Sequence, residues 1–166
     1  FIHPDMFKGA TVMAIVCWLW FVPRPDLRQR RTVVIQTILG GAFAGLVSRI
    51  LQNWIERPKP LNAAAEVVPL FGTTPEEIAA MAEASAFPSD HAALFGAVAI
   101  GIWLANRRWG YFAFAWTLLI VDLPRIYTGR HYPSDILAGV VLGICVTLAM
   151  RRPATGGILA PAPARS

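Results

Sequence analysis

The stretch "TVVIQTILGGAFAGLVSRILQNWI", residues 32–55, is an apolar run longer than the roughly 20 residues that a helix needs to cross a lipid bilayer. Shorter apolar runs occur on both sides of it, and each can be extended into its flanks. We interpret all five as spanning helices of an all-α, polytopic transmembrane bundle; a soluble helical bundle with buried helices is the alternative. The five segments are 9–22, 32–55, 91–105, 109–123 and 135–150.

The composition agrees with a membrane protein. The 166 residues are 55% hydrophobic with a mean hydropathy of +0.50, and only 15% are charged, against about 25% in soluble domains. Residues 1–150 are predicted to form a single transmembrane domain, and the Pro-, Ala- and Gly-rich residues 151–166 a flexible tail. Because the chain begins with Phe1 at a segment boundary, we expect further sequence to precede it.

Loop charge predicts the orientation. The segment "PRPDLRQRR" (23–31) has four Arg and one Asp, "NRR" (106–108) has two Arg, and two more Arg follow the last apolar segment. Helices alternate in direction, so these basic segments share one face, which the positive-inside rule makes cytoplasmic. The opposite face receives the acidic connection 56–90, within which Thr74 and Glu77 form a capping pattern that predicts a short surface helix over 73–84.

Three polar blocks fall together on that outer face: "ERPKP" (56–60), "PSDH" (88–91) and "RIYTGRHYPSD" (125–135). Polar and charged groups at membrane depth usually mark a site. The basic residues alone are compatible with simple solvation or with binding of lipid headgroups. Two histidines at helix entrances on one face, His91 and His131, favour chemistry over that interpretation.

Phosphoryl transfer fits these residue types. Arginine supplies a planar fork matched to phosphate oxygens, and a helix amino terminus such as the one at Ser89 supplies backbone N–H donors. His131 and Asp135 are spaced so that a carboxylate can hold a nucleophilic imidazole, and His91 is then available to protonate the leaving oxygen. A metal site is disfavoured, because two histidines without Cys or an H-E-x-x-H pattern lie among cations.

The three blocks resemble the signature motifs of the type-2 phosphatidic-acid-phosphatase superfamily over about residues 32–150. The third motif, Ser-Arg, five residues, His, three residues, Asp, matches at Arg125, His131 and Asp135, with Pro124 for Ser. The second, Pro-Ser-Gly-His, is here "PSDH", with Asp90 for Gly. The first, Lys, six residues, Arg-Pro, is degraded: Gln52 stands at the Lys position and Lys59 at the Arg position.

The resemblance implies a fold and a division of roles. The five segments correspond to the last five of a six-helix family core. His131 would attack phosphorus, Asp135 would orient it, and His91 would act as the general acid. Lys59, Ser89 and Arg125 would hold the phosphate, with Arg57 as a substitute for the cation lost at Gln52.

"FPSDH" (87–91) with "RIYTGRHYPSD" resembles the bacterial undecaprenyl-diphosphate phosphatases of this superfamily. We therefore expect a metal-independent lipid phosphatase of the bacterial inner membrane, with its active site facing the exterior or periplasm. Its expected partners are a lipid phosphate substrate and membrane lipids, with no cofactor and no nucleic acid. The alternatives are a phosphatidylglycerophosphate, phosphatidate or lipid A phosphatase of the same family, or a non-catalytic protein that binds anionic lipid; vanadate-dependent oxidation is disfavoured because those relatives are soluble and far longer.

Overall fold

The computed structural model describes residues 4–23, 25, 27–63 and 85–151, with the backbone alone for residues 4–6. The described residues form helices and no strand. In chain order the helices are α1 (Pro4–Phe21), α2 (Leu27–Gln52), the single turn α3 (Pro60–Ala63), α4 (Asp90–Ala105), α5 (Arg107–Trp116), a π-helical segment (Thr117–Asp122), α6 (Leu123–Tyr127) and α7 (Pro133–Ala149).

The five predicted apolar segments are all helical, which confirms the all-α prediction. The ends differ from the hydropathy limits: α2 begins at Leu27, inside the basic stretch, because Leu, Arg and Gln are good helix formers. Among the described helices, Leu27–Gln52 alone is both long and apolar enough to cross a membrane by itself. The number of spanning helices therefore stays a prediction. The predicted surface helix over 73–84 and the tail from residue 152 onward lie outside the described residues.

Helix α2 has large apolar side chains on its outside and small or polar ones on its inside. Its exposed positions include Leu39, Phe43 and Leu46, each about half exposed. Its buried positions include Gly40, Ala44 and four polar or charged side chains, namely Arg30, Thr37, Ser48 and Gln52. Small and polar residues mediate helix contacts in a bilayer, where lipid solvates the apolar exterior. This distribution is that of a membrane protein.

Helix α4 lies at the centre of the bundle and packs against α2, α5 and α7. Its contact with α7 is close because Gly139 and Gly143 face it without side chains. A Cβ atom at Gly143 would lie 2.1 Å from the carbonyl oxygen of Ala93, and one at Gly139 would lie 2.5 Å from that of Ser89. The missing side chains of this glycine pair allow the two helices to approach closely. The packing places the first turn of α7 directly beside the first turn of α4.

The helical run from Arg107 to Tyr127 contains one wide turn. The Leu123 N–H donates to the carbonyl of Leu118, five residues earlier. Pro124 follows immediately, and it has no N–H to donate to an i−4 carbonyl. A π-helical segment accommodates the missing bond, and such segments often occur at functional sites. Here it ends three residues before Arg125, which is buried.

Candidate active site

The polar blocks converge on one cavity at the end of the bundle where α2 ends and α4 and α7 begin. It has a volume of about 160 Å³. The predicted site residues that line it are Gln52, Lys59, Asp90, His91, Arg125 and His131, and three other residues complete its wall, namely Arg49, Ser85 and Arg130. At the opposite end of the bundle lie Arg28 at the start of α2, Arg107 at the start of α5 and Arg151 after α7.

His131 is fixed by the loop between α6 and α7. Gly129 closes this loop with a φ of 65°, and the N–H groups of Arg130 and His131 both donate to the carbonyl of Arg125, at 3.0 and 3.3 Å. The side chain is buried, and its Nδ1 lies 2.8 Å from the carbonyl oxygen of Ala86. Burial lowers the pKa of His131, and the Arg125 charge lowers it further, against opposing effects of the Ala86 hydrogen bond and Asp135. The imidazole is therefore neutral at pH 7.

Asp135 is fully buried at the start of α7. Its Oδ2 accepts the Tyr132 N–H at 2.8 Å, which caps the helix. Its Oδ1 accepts a short hydrogen bond from Arg57, whose guanidinium also donates to Ser134 and lies 4.4 Å from the centre of the Tyr132 ring. Oδ2 is 4.0 Å from Nδ1 of His131. Asp135 thus acts on His131 through its charge, while the Ala86 carbonyl makes the direct hydrogen bond.

The second histidine is held by its neighbour. Asp90 Oδ1 lies 2.8 Å from Nδ1 of His91 and accepts the His91 backbone N–H at the same distance. Asp90 Oδ2 is 3.9 Å from Nε of Arg49 on α2. Both histidines line the cavity, and the His91 side chain is the more exposed of the two, at 44%. A carboxylate at the first position of α4 also stabilises the helix dipole.

Ser89 and Gln52 connect the helices that frame the cavity. Ser89 is fully buried and caps α4 by accepting the Ala92 N–H at 3.4 Å, and its own N–H donates to the Asp135 carbonyl at 3.1 Å. Gln52 Nε2 donates to the Pro88 carbonyl at 2.7 Å, and Ser48 Oγ does so at 3.1 Å. The predicted cap at Ser89 is confirmed. The carboxamide of Gln52 binds the loop carbonyl as well as lining the cavity.

The cavity has an excess of positive charge. Among the residues that the structure describes, Arg49, Lys59, Arg125 and Arg130 line it, against the single carboxylate of Asp90. Burial lowers the pKa of Lys59, and the positive charge of Arg130 lowers it further. Cations that destabilise one another in this way favour a bound anion, because the anion relieves their repulsion.

Two cations of the cavity, Arg49 and Arg130, were not predicted from the sequence. Arg130 directly precedes His131, and Arg49 lies three residues before Gln52 on the same helix face, so their spacing to predicted residues was the available signal. Two predicted phosphate ligands, Arg57 and Ser89, do not line the cavity. Arg57 forms an ion pair with Asp135 instead, and Ser89 caps the amino terminus of α4.

The all-helical fold and this histidine- and arginine-lined cavity agree with the family that the three sequence blocks resemble. Residues 34–154 match the PAP2 superfamily, and the chain belongs to that family. The resemblance found from the three sequence blocks is thereby confirmed.

Three curated relatives are similar to this chain. The undecaprenyl-diphosphatase of Bacillus subtilis (strain 168) is 33% identical over 151 residues, which cover 88% of this chain and 68% of the relative. The bacitracin transport permease protein of Bacillus licheniformis is 29% identical over 72% of this chain and 55% of its own length. The lipid A 1-phosphatase of Rhizobium etli is 31% identical over 61% of this chain and 41% of the relative.

The chain thus spans between 41% and 68% of the lengths of these relatives. Two of the three are named as phosphatases of lipid-linked groups. The prediction that the chain belongs to a family of membrane lipid phosphatases is confirmed by these names and by the family match.

Proposed function

We propose that this protein is a metal-independent lipid phosphatase that works through a phosphohistidine intermediate, with undecaprenyl diphosphate as its substrate. The observation that carries the proposal is the buried, neutral His131 on a cavity lined by four cations. A neutral imidazole has the lone pair that a nucleophile needs, and the cations suit a phosphate or diphosphate group.

In the first step Nε2 of His131 attacks the terminal phosphorus. The bond between phosphorus and the bridging oxygen breaks, and His91 donates a proton to that oxygen as undecaprenyl phosphate leaves. In the second step His91 takes a proton from water, and the resulting hydroxide attacks the phosphohistidine. Inorganic phosphate is released and His131 is restored.

The positive groups divide between binding and support. Lys59, Arg125, Arg49 and Arg130 line the cavity, and in the proposed mechanism they contact the phosphate oxygens and stabilise the charge that develops in the transition state. Arg57 instead neutralises Asp135, while the Ala86 carbonyl accepts the hydrogen bond from Nδ1 of His131. Ser89 contributes by fixing the amino terminus of α4.

The substrate assignment rests on the named relatives. An undecaprenyl-diphosphatase matches most of this chain, which favours the lipid carrier. The lipid A 1-phosphatase match supports the second candidate, a phosphatase of lipid A or of another phosphorylated lipid. We place the protein in the bacterial inner membrane as a multi-pass protein. Its site would face the exterior, because the basic loops lie at the other end of the bundle.

The test is release of phosphate in detergent with EDTA present. The parent is compared with His131→Ala and with His3→Ala, a histidine outside the three blocks. We expect release from undecaprenyl diphosphate by the parent and by His3→Ala, and none by His131→Ala. Labelled phosphate should remain on the parent protein in alkali and be lost in acid, as a phosphohistidine requires.

Other outcomes separate the alternatives. Turnover of lipid A or phosphatidylglycerophosphate alone, still dependent on His131, would retain the mechanism and replace the substrate. Loss of activity with EDTA would contradict the metal-independent mechanism. Folded protein that releases phosphate from none of the lipid phosphates would favour the non-catalytic, lipid-binding alternative.

A further inference from the structure

A second and larger cavity adjoins the candidate active site. Its volume is about 510 Å³, within the range of roughly 300–1,000 Å³ typical of small-molecule sites. Its wall is formed by α1, α2, α4, the π-helical segment and α6. Lys8 on α1 lines it, as do the residues of its charged end, and the other lining residues are small or apolar: Ala42, Gly45, Leu94, Phe95 and Val121.

The two cavities share four of their lining residues. Arg49, Asp90, His91 and Arg125 line both of them. The larger cavity therefore has one charged end, shared with the phosphate-sized cavity, and its other lining residues, apart from Lys8 on α1, are small or apolar. A molecule with a phosphate head and a hydrocarbon chain has the same distribution of polarity.

The larger cavity also extends along the axes of α2 and α4, away from the phosphate-sized cavity. On α2 its lining runs from Arg49 back to Ala42, seven residues, which corresponds to about 10 Å along the helix axis. On α4 it runs from Asp90 to Phe95, into the bundle from the same end. A lipid chain that starts at the level of the phosphate cavity would follow this path.

We propose that this apolar cavity holds the part of the substrate's hydrocarbon chain nearest the phosphate, and that Gly45 sets the width available to it. The inference rests on the proposed function, and it adds that the chain is bound by protein. The occupant is the substrate chain because the cavity shares its charged end with the candidate active site.

Gly45 is suited to this role because it has free space beside it. A Cβ atom built there would meet only Leu94 Cδ1, at 3.9 Å, which is an ordinary contact. Alanine fits at this position, whereas a leucine side chain would extend into the cavity. Gly9 on α1 is a matched control, since a Cβ there would have nothing within 4 Å and Gly9 does not line either cavity.

The experiment compares two substrates with one headgroup: undecaprenyl diphosphate and the five-carbon dimethylallyl diphosphate. For Gly45→Leu we expect the ratio of kcat/KM, long chain over short chain, to fall by about tenfold, the equivalent of a few buried methylene groups. Gly45→Ala should lower the ratio less, and Gly9→Leu should leave it unchanged. An unchanged ratio in Gly45→Leu would overturn the proposal, whether both activities were retained or both fell by the same factor.

A second readout does not depend on the proposed reaction. A long-chain alkyl phosphate with a diazirine near the phosphate is photolysed with the protein, and the labelled residues are mapped. We expect labels on the lining residues Ala42 and Arg49 of α2 and Leu94 and Phe95 of α4, and fewer labels there in Gly45→Leu. Labels confined to the lipid-facing side chains of α2, such as Leu39 and Phe43, would contradict the proposal even if the enzyme turned over a different lipid.

Discussion

Nδ1 of His131 lies 2.8 Å from the carbonyl oxygen of Ala86, a residue 45 positions earlier in the chain. A carbonyl oxygen can only accept a hydrogen bond, so Nδ1 carries the proton and Nε2 carries the lone pair. The backbone therefore sets the tautomer of the proposed nucleophile. Asp135, whose Oδ2 is 4.0 Å from the same nitrogen, contributes an electrostatic effect.

The lowered pKa of His131 predicts the acid limit of activity. The attacking form is neutral, so activity falls as pH decreases through the pKa of His131. Because burial holds this pKa below the usual 6.5, kcat/KM should still exceed half its maximum at pH 6.5. The measurement is a pH profile of kcat/KM, corrected for titration of the substrate phosphate as followed by ³¹P NMR.

Asp135→Asn is the matched variant for this profile. The carboxylate raises the pKa of His131, so its removal should move the acid limb to lower pH, with a reduced maximum. An acid limb above pH 6.5 in the parent, or a shift to higher pH in the variant, would show that another group controls it.

The ion pair between Arg57 and Asp135 predicts a coupled effect on stability. Arg57→Leu leaves the buried Asp135 carboxylate without its cation. We expect a loss of about 2 kcal/mol in the free energy of unfolding, less than the ~3–5 kcal/mol of a fully buried pair, because the Arg57 side chain is 36% exposed. Thermal or denaturant unfolding in detergent measures it.

The double variant Arg57→Leu/Asp135→Asn should recover part of that stability, because the unpaired charge is gone. The same variants test the sequence-based assignment of Arg57 as a phosphate ligand. A raised KM with unchanged stability in Arg57→Leu would support that assignment and contradict the supporting role.

Asp90 provides a third prediction, since it stands where the family motif has glycine. Asp90→Gly removes the carboxylate from Nδ1 of His91 and from Arg49. We expect kcat to fall by roughly tenfold as the general acid loses its fixed orientation. KM should decrease, because an anion near the phosphate cavity is lost and Arg49 is released to bind phosphate.

Steady-state kinetics on the same lipid separates the two effects of Asp90→Gly. Glu56→Gln, at an exposed acidic residue outside the cavity, is the control for a simple change of net charge. Equal changes in kcat and KM for the two variants would mean that Asp90 has no specific role at His91.

Local sequence patterns predicted most of the fold and the centre of the site. Hydropathy located the helices because a lipid-facing helix must be apolar over its whole length. The spacing of His131 and Asp135 was informative because side chains four residues apart can come close together where a helix begins. The cap at Ser89 was predictable for the same local reason.

The missed features depend on contacts between distant parts of the chain. The Ala86 carbonyl reaches His131 only after α4 and α7 pack together. Every residue has a backbone carbonyl, so residue types do not indicate which one will accept this hydrogen bond. Arg49 joins the cavity through the packing of α2 on α4. Arg57 has the residue type of a phosphate ligand, and its ion pair with Asp135 appears only in the folded chain.

The contact between α4 and α7 gives the last prediction. Gly143→Ala would place a methyl group 2.1 Å from the Ala93 carbonyl oxygen and 2.7 Å from the Ala97 nitrogen, so the two helices must separate. We expect a loss of about 1–3 kcal/mol in the free energy of unfolding, as for other overpacked cores. Activity should fall as well, because this interface places Ser89 against Asp135 and thereby positions the two histidines.

Gly9→Ala is the control for this substitution, since its added methyl group has nothing within 4 Å, and alanine is the better helix former by roughly 0.5–1 kcal/mol. It should leave activity unchanged and stability equal or higher. Unfolding in detergent and phosphate release are measured for both variants. If Gly143→Ala were as stable and as active as Gly9→Ala, close contact between α4 and α7 would not be what holds the two signature blocks together.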